Sequence, residues 1–195
     1  MSLNEHTKIK MTKYIILALI TIGILIGCSI KKKKSETNTQ TAEENPFMDM
    51  RNMAFSVKPD QIELENIADN KVYGLITEME MNPGVASLIS FLSGDTSLYL
   101  SSGGGYIGAG TDEKINKIVT EKIEEFQKYL SKAKKIENPK LPEKGMVNFN
   151  FMTKNGIYSV SENISDLKNG KSELSELFIG VNEIITQIRI YHSNQ

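Results

Sequence analysis

The chain has 195 residues, with 23 Lys plus Arg against 24 Asp plus Glu and a formal net charge of −1. A balance this close to neutral attracts no polyanion, so nucleic acid is not an expected partner. Cys28 is the one cysteine and His192 the only histidine beyond residue 30, so an internal disulfide, a Ser/His/Asp or Cys/His catalytic set and a His-rich zinc site all lack material.

Lys10 and Lys13 lead into an apolar run from Tyr14 to Leu25 that closes on Gly27 and Cys28. Basic, then apolar, then small is the order of a secretory signal. The stretch Leu25-Ile26-Gly27-Cys28 resembles the lipobox of bacterial lipoproteins, a resemblance confined to residues 1 to about 30. It implies cleavage between Gly27 and Cys28, acylation of the Cys28 thiol, and a mature chain that starts at Cys28. It also implies at least two acyl chains, which make attachment effectively permanent. The domain is then expected outside the cytoplasm of a bacterium, on the cell membrane or the outer membrane. Met11-Thr12-Lys13 offers a second translation start. The rival reading is an uncleaved anchor: Tyr14 to Ile30 is 17 residues, at the short end of the ~17–25 that cross a bilayer. Lys31 to Lys34 outnumber Lys8, Lys10 and Lys13, which under the positive-inside rule would leave the domain in the cytoplasm.

Three segments follow: a signal peptide at 1–27, the lipidated cysteine with a polar tether at 28–46, and one globular domain at 47–195. Cleavage takes the net charge from −1 to −3. The tether (KKKKSETNTQTAEENP after Ser29 and Ile30) has little to bury and a typical reach of roughly 23 Å. Its four lysines are either a solvated spacer or worth roughly 1 kcal/mol each against an anionic leaflet.

Phe47, Met48, Met50, Met53 and Phe55 restore apolar character and are expected to pack as the first edge of the domain, although Met-rich surfaces also serve as adaptable binding patches. Pro59-Asp60-Gln61-Ile62 opens a short helix. From Lys71 the period becomes two: Leu75, Thr77, Met79 and Met81 alternate with Ile76, Glu78 and Glu80, a half-buried strand. The turns Asn82-Pro83-Gly84 and Ser93-Gly94-Asp95 separate it from strands over Val85 to Leu92 and Thr96 to Ser101, making an antiparallel meander.

The run Ser101-Ser102-Gly103-Gly104-Gly105-Tyr106-Ile107-Gly108-Ala109-Gly110 comes next. Gly103, Gly105 and Gly108 match GxGxxG formally, but the following helix starts past the last glycine, against a dinucleotide site. Glycines there serve bulges and close backbone approach, and Ser101, Ser102, Gly103, Gly104 and Gly105 are the candidate ligand or partner loop.

Thr111 is expected to cap a helix whose stripe is Ile115, Ile118, Val119, Ile123, Phe126 and Leu130, opposite a charged face of Lys117, Glu121, Glu124, Glu125 and Lys128. Pro139 and Pro142 then end the helix and mark a linker between two halves. Val147, Phe149 and Phe151 alternate with Asn148 and Asn150, Asn155-Gly156 signals a hairpin, and Ile157 to Ser161 returns. A polar loop runs through Asn169-Gly170. Ser172 caps a last helix with the stripe Leu174, Leu177, Phe178, Val181, Ile184, Ile185 and Ile188.

The order βββ-α-ββ-α predicts an α+β fold, a two-layer sandwich of about five antiparallel strands under two amphipathic helices. In element order it resembles profilin-like and roadblock-like domains, a likeness of fold alone.

Chemistry is sparse. Glu78 and Glu80 share a strand face at roughly 7 Å, a spacing that suits a carboxylate pair. Ser101 and Ser102 lack a visible base, with Lys168 or Lys171 the only basic side chains in view. His192 sits in the last residues, where a frayed tail is expected. No metal, cofactor or catalytic residue is assigned. The expected function is a membrane-anchored, non-catalytic binding or interaction module facing an envelope partner. The alternatives are a small hydrolase using carboxylates and an immunity or inhibitor lipoprotein.

Overall fold

The computed structural model describes residues 46–193. The signal segment, Gly27, Cys28 and the tether up to residue 45 lie outside the described residues. The fold is α+β, as expected, but its antiparallel sheet has seven strands rather than about five.

Helix α1 (Pro46–Ser56) comes first, followed by a 3-10 turn at Pro59–Ile62. Strands β1 (Gly74–Glu80), β2 (Val85–Phe91), β3 (Thr96–Leu100) and β4 (Gly105–Tyr106) form the meander. Helix α2 (Glu113–Phe126) leads through a 3-10 segment to β5 (Lys134–Ile136). A hairpin of β6 (Met146–Thr153) and β7 (Gly156–Asn163) precedes the short α3 (Ile164–Lys168) and the long α4 (Ser175–Ser193). The spatial order is β4-β3-β2-β1-β6-β7-β5.

The expected linker at Pro139 and Pro142 is a connection within one sheet rather than a break between two halves. Strand β1 pairs with β2 on one side and β6 on the other, with Thr77 opposite both Leu88 and Phe149. The sheet is therefore continuous across the chain's midpoint. Pro139 and Pro142 lie in the β5–β6 connection rather than at the end of α2, which closes at Phe126.

Register sorts the side chains. Leu75, Thr77 and Met79 align with Leu88, Ala86, Phe149, Phe151 and Val147 on the first face. The stripes of α2 (Ile115, Val119, Ile123, Phe126) and α4 (Leu177, Phe178, Val181, Ile184, Ile188) cover that face in one apolar core. The two helices meet where Gly180 faces Phe126: a Cβ on Gly180 would lie 2.7 Å from the Phe126 ring. Glycine is what allows that approach.

The opposite face is covered too, so the expected pair of layers becomes three. Ala54, Phe55 and Val57, together with Ile62, Leu64 and Ile67, pack on Tyr73, Ile76, Ile89, Phe91 and Met152. The Phe/Met run at 47–55 is thus a helix lying across the sheet rather than an edge. Two caps differ in detail from expectation. Asp112, not Thr111, caps α2, accepting a hydrogen bond from the Ile115 amide at 3.0 Å, while the Thr111 hydroxyl bonds Gly108 O. Ser172 accepts from the Leu174 amide just ahead of α4 and donates to Glu162.

Candidate binding groove and the buried ion pair beneath α1

Glu78 and Glu80 do share a face of β1, the one under α1, but they do not form a reactive pair. Glu78 is fully buried, and Arg51 of α1, 4% exposed, grips both its oxygens, Nε to Oε1 at 2.6 Å and Nη2 to Oε2 at 2.8 Å. The Ser87 hydroxyl and the Asn150 amide also donate to Glu78, at 3.2 and 3.4 Å. Arg51 Nη2 donates a second bond to Pro139 O, and its guanidinium lies 4.8 Å from the centre of the Phe55 ring. Next along this belt, Asn148 donates to Lys140 O and accepts from the Ser161 hydroxyl at 2.6 Å. Glu80 accepts from the Gly145 amide at 3.1 Å. The Glu78 carboxylate, held by four donor groups from three residues, is a structural anchor: it fixes α1 and, through Arg51, the 137–145 connection on the sheet.

The glycine run makes the turn between β3 and β4. Gly103 and Gly104 have φ of +99° and +79°, and a Cβ at Gly105 would lie 2.2 Å from Leu98 O. Several polar groups are used internally. The Ser101 amide bonds Val85 O, the Gly103 amide bonds Leu100 O and the Gly108 amide bonds the Ser97 hydroxyl. Ser101 Oγ accepts from the Val85 amide at 2.7 Å, tying this turn to the start of β2. Ser102, Gly103, Gly104 and Gly105 are exposed.

A hollow opens on the first face, where α2 and α4 leave the sheet uncovered. Its floor is a cross-strand row, Met79, Ala86 and Leu100, joined by Leu98. One flank of α4 supplies Phe178, Asn182, Ile185 and Arg189, spaced four, three and four residues apart so that they form a single line. Ile164 and Lys168 of α3, Tyr106 of β4, and Glu80 and Met81 complete the lining of about 410 Å³. That volume lies in the ~300–1,000 Å³ range of small-molecule sites. The hollow shares Lys168, Phe178 and Asn182 with a more open depression by the start of α4, and Tyr106 and Arg189 with another near its end.

The polar groups here divide sharply. Asn182 donates to Phe178 O, and Glu80 is held by Gly145. Lys168 and Arg189 are exposed, and neither enters an ion pair among the described residues. His192 does not sit on a frayed tail: α4 runs through Ser193, and its imidazole stacks on Tyr106 with centroids 4.5 Å apart and rings 20° from parallel. Its Nε2 is buried without a hydrogen-bond partner.

Leu100 and Tyr106 flank the Ser101–Gly105 turn and both line the hollow, so the structure brings the predicted loop to its rim. Arg51 and Arg189 are the chain's only arginines and were not singled out by sequence reasoning. Arg189 does carry a signal, since it falls four residues after Ile185 at the margin of the apolar stripe. Lys168 was noted only as a general base for Ser101 or Ser102. Among the described residues no cluster of three or more His, Cys, Asp or Glu is placed to hold a metal, and no helix is long and apolar enough to cross a membrane. No family model matches the chain, and no curated protein or solved structure matches it.

Proposed function

We propose that this chain is a bacterial lipoprotein, anchored through Cys28, whose domain binds a ligand or partner at the cell envelope rather than catalysing a reaction. The groove beside α4 is the binding surface, with Ser101–Gly105 at its rim. One observation carries this reading: an apolar hollow of about 410 Å³ is lined by two cations, Lys168 and Arg189, that have no ion-pair partner among the described residues. An apolar site with a few unspent polar groups is the usual form of a ligand pocket. The hydrolase alternative loses its best pair, because Glu78 is fully engaged by Arg51, Ser87 and Asn150.

Two experiments test the two halves. Labelled palmitate should enter the wild-type chain and not Cys28→Ala; equal labelling of both removes the anchor. Hydrogen exchange of the full chain, with and without solubilised bacterial envelope, should show protection concentrated in residues 98–106 and 178–189. Unchanged exchange there overturns the groove as the binding surface.

A further inference from the structure

Within the reading of the groove as a binding surface, which this inference rests on, the lining also specifies the ligand. We propose that the groove takes a fatty acid: one acyl chain along the floor, its carboxylate at the cationic rim to which Lys168 and Arg189 contribute.

The floor is suited to a chain and to little else. Met79, Ala86 and Leu98, each no more than 8% exposed, give the hollow an apolar base. Across the three strands the row Met79–Ala86–Leu100 is directly paired, with small Ala86 between the larger Met79 and Leu100. This makes a shallow channel running across the strands. Methionine adapts its shape to such an occupant. Ile185 and Phe178 of α4 form the wall above it. A volume of about 410 Å³ is that of one ligand of modest size, enough for one acyl chain.

The rim sets the sign of the head group. Lys168 and Arg189 stand on different helices and line the same hollow, and the one acid in the lining, Glu80, already accepts from the Gly145 amide. The lining therefore carries an excess of one positive charge, with both cations available. An anion at that rim gains a charge-assisted partner, whereas a neutral or cationic head gains none. Arginine's planar fork matches a carboxylate in particular.

The test uses the full chain in neutral phosphatidylcholine nanodiscs and a dodecanoate carrying a diazirine on its tail. Illumination should place most of the label on peptides containing Met79, Leu98, Leu100 or Ile185, and unlabelled fatty acids should compete. Competition should tighten with tail length, by up to about fourfold per methylene, the equivalent of ~0.8 kcal/mol. Lys168→Glu combined with Arg189→Glu should lower labelling by at least about tenfold with an unchanged melting temperature, and should raise labelling by the matching alkylammonium probe. Label spread evenly over the chain, or equal labelling of wild type and double variant, overturns the proposal. If label is absent while envelope extract still protects residues 98–106 and 178–189 from exchange, the groove binds something other than a fatty acid. If both signals are absent, the binding reading fails with it.

Discussion

Toward α2 and α4 the sheet presents Leu75, Met79, Leu88, Phe149 and Phe151; toward α1 the same strands present Ile76, Ile89 and Met152 together with a polar belt of Glu78, Ser87, Asn148 and Asn150. The first face is held by area, and the second adds direction to area. Apolar contact is non-directional, so α2 and α4 can cover their face incompletely and still hold a core. The uncovered corner is then available as a groove. On the second face a bidentate guanidinium–carboxylate pair admits one placement of α1 and leaves little latitude around it. The difference separates two roles of charge in this chain. Arg51 is engaged by Glu78, whereas Arg189 enters no ion pair among the described residues.

The sharpest way to break that contrast is at Arg51. Arg51→Ala leaves the Glu78 carboxylate buried with only Ser87 and Asn150 as donors, and should cost about 3–5 kcal/mol in urea unfolding. Arg51→Met with Glu78→Leu should recover most of that loss, since buried pairs are often matched by apolar residues of similar volume. A single variant that loses less than about 1 kcal/mol would mean that α1 is not held by the pair. On the first face, Gly180→Val tests shape rather than charge. Its Cβ would meet the buried Phe126 ring at 2.7 Å, so overpacking should cost about 1–3 kcal/mol and leave the second face intact.

A titration sharpens the comparison at smaller scale. Lys122 of α2 bridges Glu183 of α4 at 3.1 Å and Glu125 at 3.4 Å. The hydrogen bond to Glu183 raises the Lys122 pKa above its usual 10.5, with burial opposing. A raised folded-state pKa means that this stabilisation is fully present below about pH 10.5 and is lost as pH rises through the folded value. The difference in urea midpoint between wild type and Glu183→Gln should therefore be constant from about pH 7 to 9 and shrink as pH rises through the raised Lys122 value. The pair is near the surface, so the difference should stay under about 1 kcal/mol. A difference that grows with pH would contradict it.

What the sequence made legible follows the same division. The meander was readable because Asn82-Pro83-Gly84 and Ser93-Gly94-Asp95 interrupt a period of two, and both long helices because their stripes recur at three and four. Strands β4 and β5 were not readable. Two and three residues carry no period, and each exists only because Leu98 and Tyr99, or Ile157 to Ser159, offer it a partner. Glu78 looked like an exposed strand residue because its cover, Arg51, lies 27 positions away and makes sense only once α1 crosses the sheet. The groove was hidden for a related reason. Its floor comes from β1 to β3 and its cations from α3 and α4, and nothing local links residues 79 to 100 with 168 and 189. The Ser101–Gly105 turn could be nominated by composition, but its place at a rim depends on the register of Leu98 with Tyr106.

The smallest effect on stability is expected where the effect on binding is largest. Lys168→Ala and Arg189→Ala remove exposed side chains with no ion pair among the described residues, so each should shift unfolding by no more than about 0.5 kcal/mol. The double variant should shift unfolding by no more than the sum of those two small changes. A loss of more than about 1.5 kcal/mol from either single change would show that the side chain supports the α3–α4 corner. The groove would then be a gap bridged for stability, with its charges serving the fold as Arg51 does. A neutral result keeps the two arginines in different roles, because Arg51 is then needed for folding and Arg189 is not, which leaves Arg189 free for the binding test proposed above.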